Sequence, residues 1–137
     1  DFKFDDYVLS MPRAKTVPAF DGLKLENPEN DFFGDADAAA KHFTEFSAKR
    51  GTGEIADAKI IRMANAMSYL GNANAAKFYR IRHGAADSDT ALAVPLILAL
   101  GLQNAGKTVD FAAPWGQGHG GDYDLDELFR WIDRVVK

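Results

Sequence analysis

The chain has 137 residues, of which 47% are hydrophobic and 26% are charged, a composition typical of one globular domain. Its 16 basic and 20 acidic side chains give a net charge of −4, whereas proteins that bind nucleic acids or anionic membranes present a basic surface, so we expect neither partner. The absence of cysteine excludes disulfides and thiolate chemistry, and the longest apolar run, residues 91–102, is shorter than the ~20 residues of a membrane-spanning helix.

The first half of the chain is irregularly interrupted by proline and glycine. These residues predict an ordered loop over residues 10–35. A helix capped by Asp35 or Asp37 is expected to end at about Arg50, where two glycines follow closely. A second helix is expected to begin at Glu54, and the apolar pattern leaves its end open.

The second half has a clearer alternation of elements. Residues 77–82 and 108–113 predict strands, and the apolar segment 90–104 between them predicts a helix. A last helix is expected to start at Asp124, which has capping-box spacing to Glu127. The order strand–helix–strand–helix with short connections predicts an α/β unit with parallel strands.

Each predicted strand is followed by a loop that carries ionisable side chains. Asp87 lies in the first of these loops, and His119 lies in the second, which is rich in glycine. Because the carboxyl ends of parallel strands meet at one edge of the sheet, these two side chains are expected to lie side by side. A carboxylate that binds one imidazole nitrogen leaves the other nitrogen free to act as a general base.

The same residues also have ordinary structural explanations. Asp87 and Asp89 precede a helix and are suited to cap it, and His119 alone is compatible with a plain surface residue. His83 follows the strand and is expected to be a supporting residue with satisfied hydrogen bonds and no catalytic role. The glycines of residues 116–121 match a dinucleotide-binding pattern, but they do not open a helix directly after the strand. The histidines and aspartates show no recognised ligand spacing, so no metal site is expected.

Two segments resemble a known family. The run YRIRHGAADSDT (residues 79–90) resembles the acid-bearing segment of α/β-hydrolase esterases, and PWGQGHGGDYDLDELF (residues 114–129) resembles their histidine segment as it occurs in bacterial tannases. The resemblance is to the tannase and feruloyl-esterase branch of that superfamily and is strongest over residues 77–133. It implies that Asp87 and His119 are the acid and the histidine of a Ser-His-Asp triad.

The resemblance also implies that the nucleophile lies elsewhere. No serine of the chain lies in a G-x-S-x-G motif; the serines are Ser10, Ser47, Ser68 and Ser88. We therefore expect the chain to be the C-terminal part of an α/β-hydrolase fold, a three-layer αβα structure with a parallel sheet. The nucleophilic serine is expected on an upstream segment, separate or cleaved, without which the chain is inactive. Any targeting signal would belong to that segment, so no compartment is assigned.

By the same resemblance, residues 1–60 are the tail of a lid insertion and residues 61–137 are the C-terminal hydrolase segment. The family's substrate-binding positions fall on Lys15, Glu29 and Asp89, whose charges suit the hydroxyls of a phenolic acid. The expected substrate is a small ester of a hydroxylated aromatic acid, such as a gallate ester, and no cofactor is expected. Two alternatives stay open: hydrolysis of other carboxylesters, hydroxycinnamates or peptides, and a non-catalytic binding or assembly module.

Overall fold

A computed structural model describes residues 19–121 and 123–137 of the chain. These residues form two compact units, one ending at Tyr69 and the other beginning at Leu70. The proposed lid residue Lys15 lies outside the described residues. Within the described ranges, no helix combines the length and the apolar character needed to cross a membrane.

The first unit consists of short helices joined by ordered loops. They are α1 (Pro28–Phe32), α2 (Glu45–Arg50), α3 (Ala58–Ala64) and a 3₁₀ helix (Ala66–Tyr69). Helix α1 lies inside the segment that was predicted as loop, and its first residue is a proline, whose fixed φ suits that position. Helix α3 begins later than predicted because Asp57 caps it, its carboxylate accepting the N–H of Lys59 at 2.7 Å.

The predicted helix that runs from Asp35 or Asp37 to Arg50 is wrong in its first part. The carboxylate of Asp35 accepts the backbone N–H groups of Asp37 and Ala38, both at 3.0 Å. These bonds close a local turn, the alternative to a helix that aspartate offers the backbone. The helix starts only after Thr44, whose hydroxyl accepts an N–H of the first turn.

The interior of the first unit is polar. Ala56 is the one buried hydrophobic residue among its described residues, whereas Asp21, Asn30 and His42 are almost completely buried. Asp21 Oδ1 lies 2.7 Å from both Asn30 Nδ2 and His42 Nδ1, and Oδ2 accepts the N–H and the hydroxyl of Thr44 at 2.8 and 2.6 Å. Burial by itself raises the pKa of Asp21, but the hydrogen bonds from Thr44, His42 and Asn30 outweigh it and lower that pKa.

We expect Asp21→Asn to lower the free energy of unfolding by about 3 kcal/mol, because buried donors lose a charged acceptor. The pKa of Asp21 is lower in the native state, so wild-type stability falls as the pH drops below about 4. The variant lacks this part of the pH dependence. Urea unfolding between pH 7 and pH 3 measures both effects, with exposed Asp31→Asn as the control. Equal losses in the two variants would contradict the prediction.

The second unit has the predicted strand–helix–strand–helix order. Its elements are β1 (Phe78–Arg82), α4 (Ala93–Asn104), β2 (Thr108–Ala112) and α5 (Leu125–Val135). The two strands pair in parallel, with Phe78 opposite Thr108 and Arg82 opposite Ala112, and α4 packs against both. The prediction of an α/β unit with parallel strands is thereby confirmed.

The predicted capping box at the start of α5 is wrong. Asp124 occupies the N-cap position, but its carboxylate makes no capping hydrogen bond. It pairs instead with the guanidinium groups of Arg80 and Arg82 on β1, at 3.1 Å for Arg82 Nε. Arg80 and, to a smaller extent, Arg82 hold the pKa of Asp124 below its usual value. The residue that precedes α5 is thus tied to β1 by two ion pairs.

Candidate active site

The loops that follow β1 and β2 are joined by backbone hydrogen bonds. His83 N–H donates to Ala112 O at 3.2 Å and continues the strand ladder by one residue. Ala85 N–H then donates to Pro114 O, and Ala86 N–H donates to Gln117 O, both at 2.9 Å. The two loops therefore leave the same edge of the sheet as one connected structure, as expected for parallel strands.

Gly84 lies at a close approach of these two loops. A Cβ atom at this position would overlap the carbonyl oxygens of Gln117 and Gly118, which are backbone atoms and have little freedom to move. The absence of a side chain at residue 84 is therefore what permits the two loops to meet. In the glycine-rich loop itself, a Cβ at Gly118 or Gly120 would meet no atom within 4 Å.

Asp87 and His119 lie in direct contact across the loops. Asp87 Oδ2 is 3.0 Å from His119 Nδ1, and the Asp87 side chain is only 5% exposed. The other oxygen, Oδ1, accepts the N–H groups of Asp89 and Thr90 at 2.8 and 3.0 Å. One carboxylate thus closes a local turn and also binds the histidine. It does not cap α4, whose N-cap is Leu92 and has no side-chain cap, so the helix-cap explanation for Asp87 and Asp89 is wrong.

These contacts determine the charge of Asp87. Burial raises its pKa, but the N–H of Thr90, the His119 ring and the N–H of Asp89 outweigh burial and lower the pKa to about 2. Asp87 is therefore a carboxylate at neutral pH. An anionic acceptor at 3.0 Å places a proton on His119 Nδ1 and leaves Nε2 as the basic nitrogen. The His119 side chain is 59% exposed, so a reacting group has access to it.

Asp89 completes a cluster of three ionisable side chains. One ligand atom each of Asp87, Asp89 and His119 lies within 4.8 Å of the others, a set of donors that suits a divalent cation. A cation bound there would compete with the hydrogen bond between Asp87 and His119. The same geometry also serves a carboxylate–histidine pair with an acidic neighbour, which is the arrangement that the sequence predicted.

Glu29 belongs to the first unit, where it borders an aromatic groove of about 490 Å³. Phe33 and Phe43 stack within this groove with their ring centroids 4.4 Å apart. The groove is lined by Phe20, Glu29, Phe32, Phe33, Phe43, Thr44, Ile61, Ala64 and Asn65. Sequence reasoning did not predict this groove, although adjacent phenylalanines in a segment with few aliphatic residues were a signal for an aromatic surface.

Solved structures similar to this chain are bacterial tannases. Tannin acyl hydrolase from Lactobacillus plantarum shares 50% sequence identity over 100% of the chain, with a TM-score of 0.87. Fusobacterium nucleatum tannase shares 54% identity over 91% of the chain, with a TM-score of 0.85. A tannin acyl hydrolase in complex with ethyl gallate shares 51% identity over 100% of the chain, with a TM-score of 0.88. The chain is tannase-like.

This tannase-like chain spans only about three tenths of the proteins that it matches: 31% of the Lactobacillus plantarum structure and 28% of the Fusobacterium nucleatum structure. Neither protein-family models nor curated proteins gave a match. These structures confirm the resemblance to bacterial tannases that residues 79–90 and 114–129 indicated.

Proposed function

We propose that the chain is the C-terminal part of a serine esterase that hydrolyses esters of hydroxylated aromatic acids, gallate esters in particular. The observation that carries this proposal is the 3.0 Å contact between Asp87 and His119 at the strand ends of a tannase-like chain. This pair supplies two members of a Ser-His-Asp triad, and the serine comes from an upstream segment.

In the proposed mechanism, His119 Nε2 removes the proton of the serine as the serine oxygen attacks the ester carbonyl. His119 then delivers this proton to the leaving alcohol, and a water molecule hydrolyses the acyl-enzyme by the same route. Asp87 holds the ring in the required tautomer and stabilises the imidazolium. The low pKa of Asp87 supports this role, because the carboxylate stays ionised throughout.

The proposed architecture is a complete α/β-hydrolase fold, in which residues 61–137 join the upstream segment and residues 1–60 belong to a lid. Exposed apolar side chains on α4 and α5 are consistent with a further segment of protein that covers these helices. Ile97 and Leu100 on α4 are 56% and 50% exposed, and Phe129 on α5 is 61% exposed. Large apolar residues exposed in this way are typical of surfaces that pack against more protein.

Substrate recognition is proposed for Lys15, Glu29 and Asp89. Glu29 borders a groove with an apolar aromatic lining, and Asp89 lies beside the Asp87–His119 pair. Carboxylates accept hydrogen bonds from phenolic hydroxyls, and an ammonium group neutralises an acidic phenol. The similarity to a tannin acyl hydrolase that binds ethyl gallate supports the same ligand class for this chain.

The proposal is tested on the full-length protein expressed from the gene that contains this chain. Released acid is measured with methyl gallate, methyl benzoate, a hydroxycinnamate ester and a peptide substrate. The proposal requires methyl gallate to have the highest kcat/KM. A higher kcat/KM for another substrate would show that the proposed substrate class is wrong. No turnover of any substrate would favour a binding or assembly module.

Asp89→Ala is expected to reduce kcat/KM for methyl gallate by about 10- to 100-fold, because a hydroxyl loses a charged acceptor. The loss for methyl benzoate, which has no hydroxyl, is expected to stay below about 3-fold. The backbone N–H of residue 89 still binds Asp87 Oδ1 in the variant. Glu29→Gln should show the same selectivity, whereas exposed Asp126→Ala on α5 serves as the control. Equal losses on both esters would contradict a role in selectivity.

A further inference from the structure

His83 is held rigidly at the end of β1. Its backbone N–H extends the strand ladder by donating to Ala112 O at 3.2 Å, and its side chain is only 6% exposed. The residue that follows it is Gly84, where the two loops approach each other closely. The position of the His83 ring is therefore set by the sheet and by the joined loops.

The ring faces the carboxylate of Asp87. His83 Nδ1 lies 3.6 Å from Asp87 Oδ2, the same oxygen that His119 Nδ1 approaches at 3.0 Å. The other ring nitrogen of His83, Nε2, is buried and has no hydrogen-bond partner among the described residues. A buried imidazole with one unpaired nitrogen costs free energy, so a histidine at this position calls for an explanation.

The two oxygens of an ionised carboxylate together accept about four hydrogen bonds. Asp87 Oδ1 uses two of these positions for the N–H groups of Asp89 and Thr90. Oδ2 uses one for His119, and the His83 ring faces Oδ2 as well. His83 therefore supplies a nitrogen near the oxygen that orients the histidine. Catalytic hydrogen bonds are often long in ligand-free structures and shorten in the substrate complex.

We propose that His83 is a positioning residue for Asp87: its Nδ1–H faces Asp87 Oδ2 and holds this oxygen in line with His119. This inference rests on the proposed esterase function. His83 touches neither the substrate nor the reacting atoms and acts through Asp87. Because two N–H groups share the charge of one oxygen, His83 also limits how strongly Asp87 stabilises the imidazolium of His119.

The test compares His83→Phe with His83→Asn in the full-length enzyme. Phenylalanine retains a buried ring without an N–H, whereas the asparagine amide retains a donor close to the position of Nδ1. We expect His83→Phe to lower kcat for methyl gallate about 10-fold with KM unchanged, because one hydrogen bond to a charged group is lost. We also expect it to move the acid limb of the kcat/KM profile to higher pH. His83→Asn should keep kcat and the pH of the acid limb close to their wild-type values.

Leu102→Ala provides a control for general loss of packing. Leu102 is buried in α4 and takes no part in the contacts between the two loops. It should lower thermal stability without moving the acid limb. Equal impairment of His83→Phe and His83→Asn, with the wild-type pH profile, would show a purely structural role and overturn the proposal.

A measurement that needs no activity separates this inference from the esterase proposal. Nitrogen NMR of the wild-type protein reports which ring nitrogen of each histidine carries a proton. The proposal requires a proton on His83 Nδ1, and a proton on Nε2 alone would overturn it. Failure of the wild-type protein to hydrolyse any ester would instead overturn the proposed function.

Discussion

Replacing His119 by alanine in the full-length protein is expected to reduce kcat for methyl gallate by about 10⁴-fold or more. The reason is that the proposed serine loses the base that would take its proton. His119 itself lies on an exposed loop. The side chain is 59% exposed, so its removal leaves the packing of the second unit intact. Stopped assays of released gallic acid, with KM measured separately, provide the test.

Asp87→Asn should cause a comparable loss of about 10⁴-fold, since an amide in place of the carboxylate favours the wrong tautomer of His119. Exposed Gln103→Ala at the end of α4 is the control and should keep wild-type activity. The double variant should be little worse than either single variant, because the two residues act as one unit. Turnover by His119→Ala at the wild-type rate would exclude the proposed catalytic role.

Gly84→Ala is expected to reduce kcat about 100-fold, through displacement of the loops. The added Cβ would overlap the carbonyl oxygens of Gln117 and Gly118, so the loop of Asp87 must move away from the loop of His119. A displacement of about 1 Å at a catalytic pair is enough for a loss of this size. Overpacking of this kind also lowers the free energy of unfolding by about 1–3 kcal/mol.

Gly118→Ala is a matched control in the opposite loop, since a Cβ there meets no atom within 4 Å. It should keep most of the wild-type activity and stability. The melting temperature and the nitrogen NMR signal of His119 measure the displacement independently of catalysis. If Gly84→Ala and Gly118→Ala had the same activity, the close approach at residue 84 would not be what brings the loops together.

The second half of the chain was predictable because its elements follow from local periodicity. The alternation in residues 77–82 and the apolar run before Asn104 correspond to β1 and α4, with boundaries shifted by a few residues. The start of α5 was also predicted, but for the wrong reason. Asp124 pairs with Arg80 and Arg82, and pairing across 44 and 42 positions of sequence leaves no local pattern.

The first half was less predictable because side chains there compete with the helix for backbone hydrogen bonds. Asp35 and Thr44 are both good helix caps by residue type, and only the structure shows that the first closes a turn and the second starts α2. The network around Asp21 joins residues far apart in the chain. The separation of its aspartate and histidine in the sequence therefore matches no motif from which their contact could be predicted.

By itself, the sequence determined the α/β order of the second unit, the resemblance to bacterial tannases, and Asp87 and His119 as the candidate pair. The two residues lie in the loops that follow two strands, and parallel pairing brings the carboxyl ends of both strands to one edge of the sheet. Tertiary structure alone decided how closely they meet, because a 3.0 Å contact depends on the missing Cβ of Gly84 and on the joined loops. It alone also placed the His83 ring against Asp87. Such contacts arise from packing between distant residues, which no local pattern encodes.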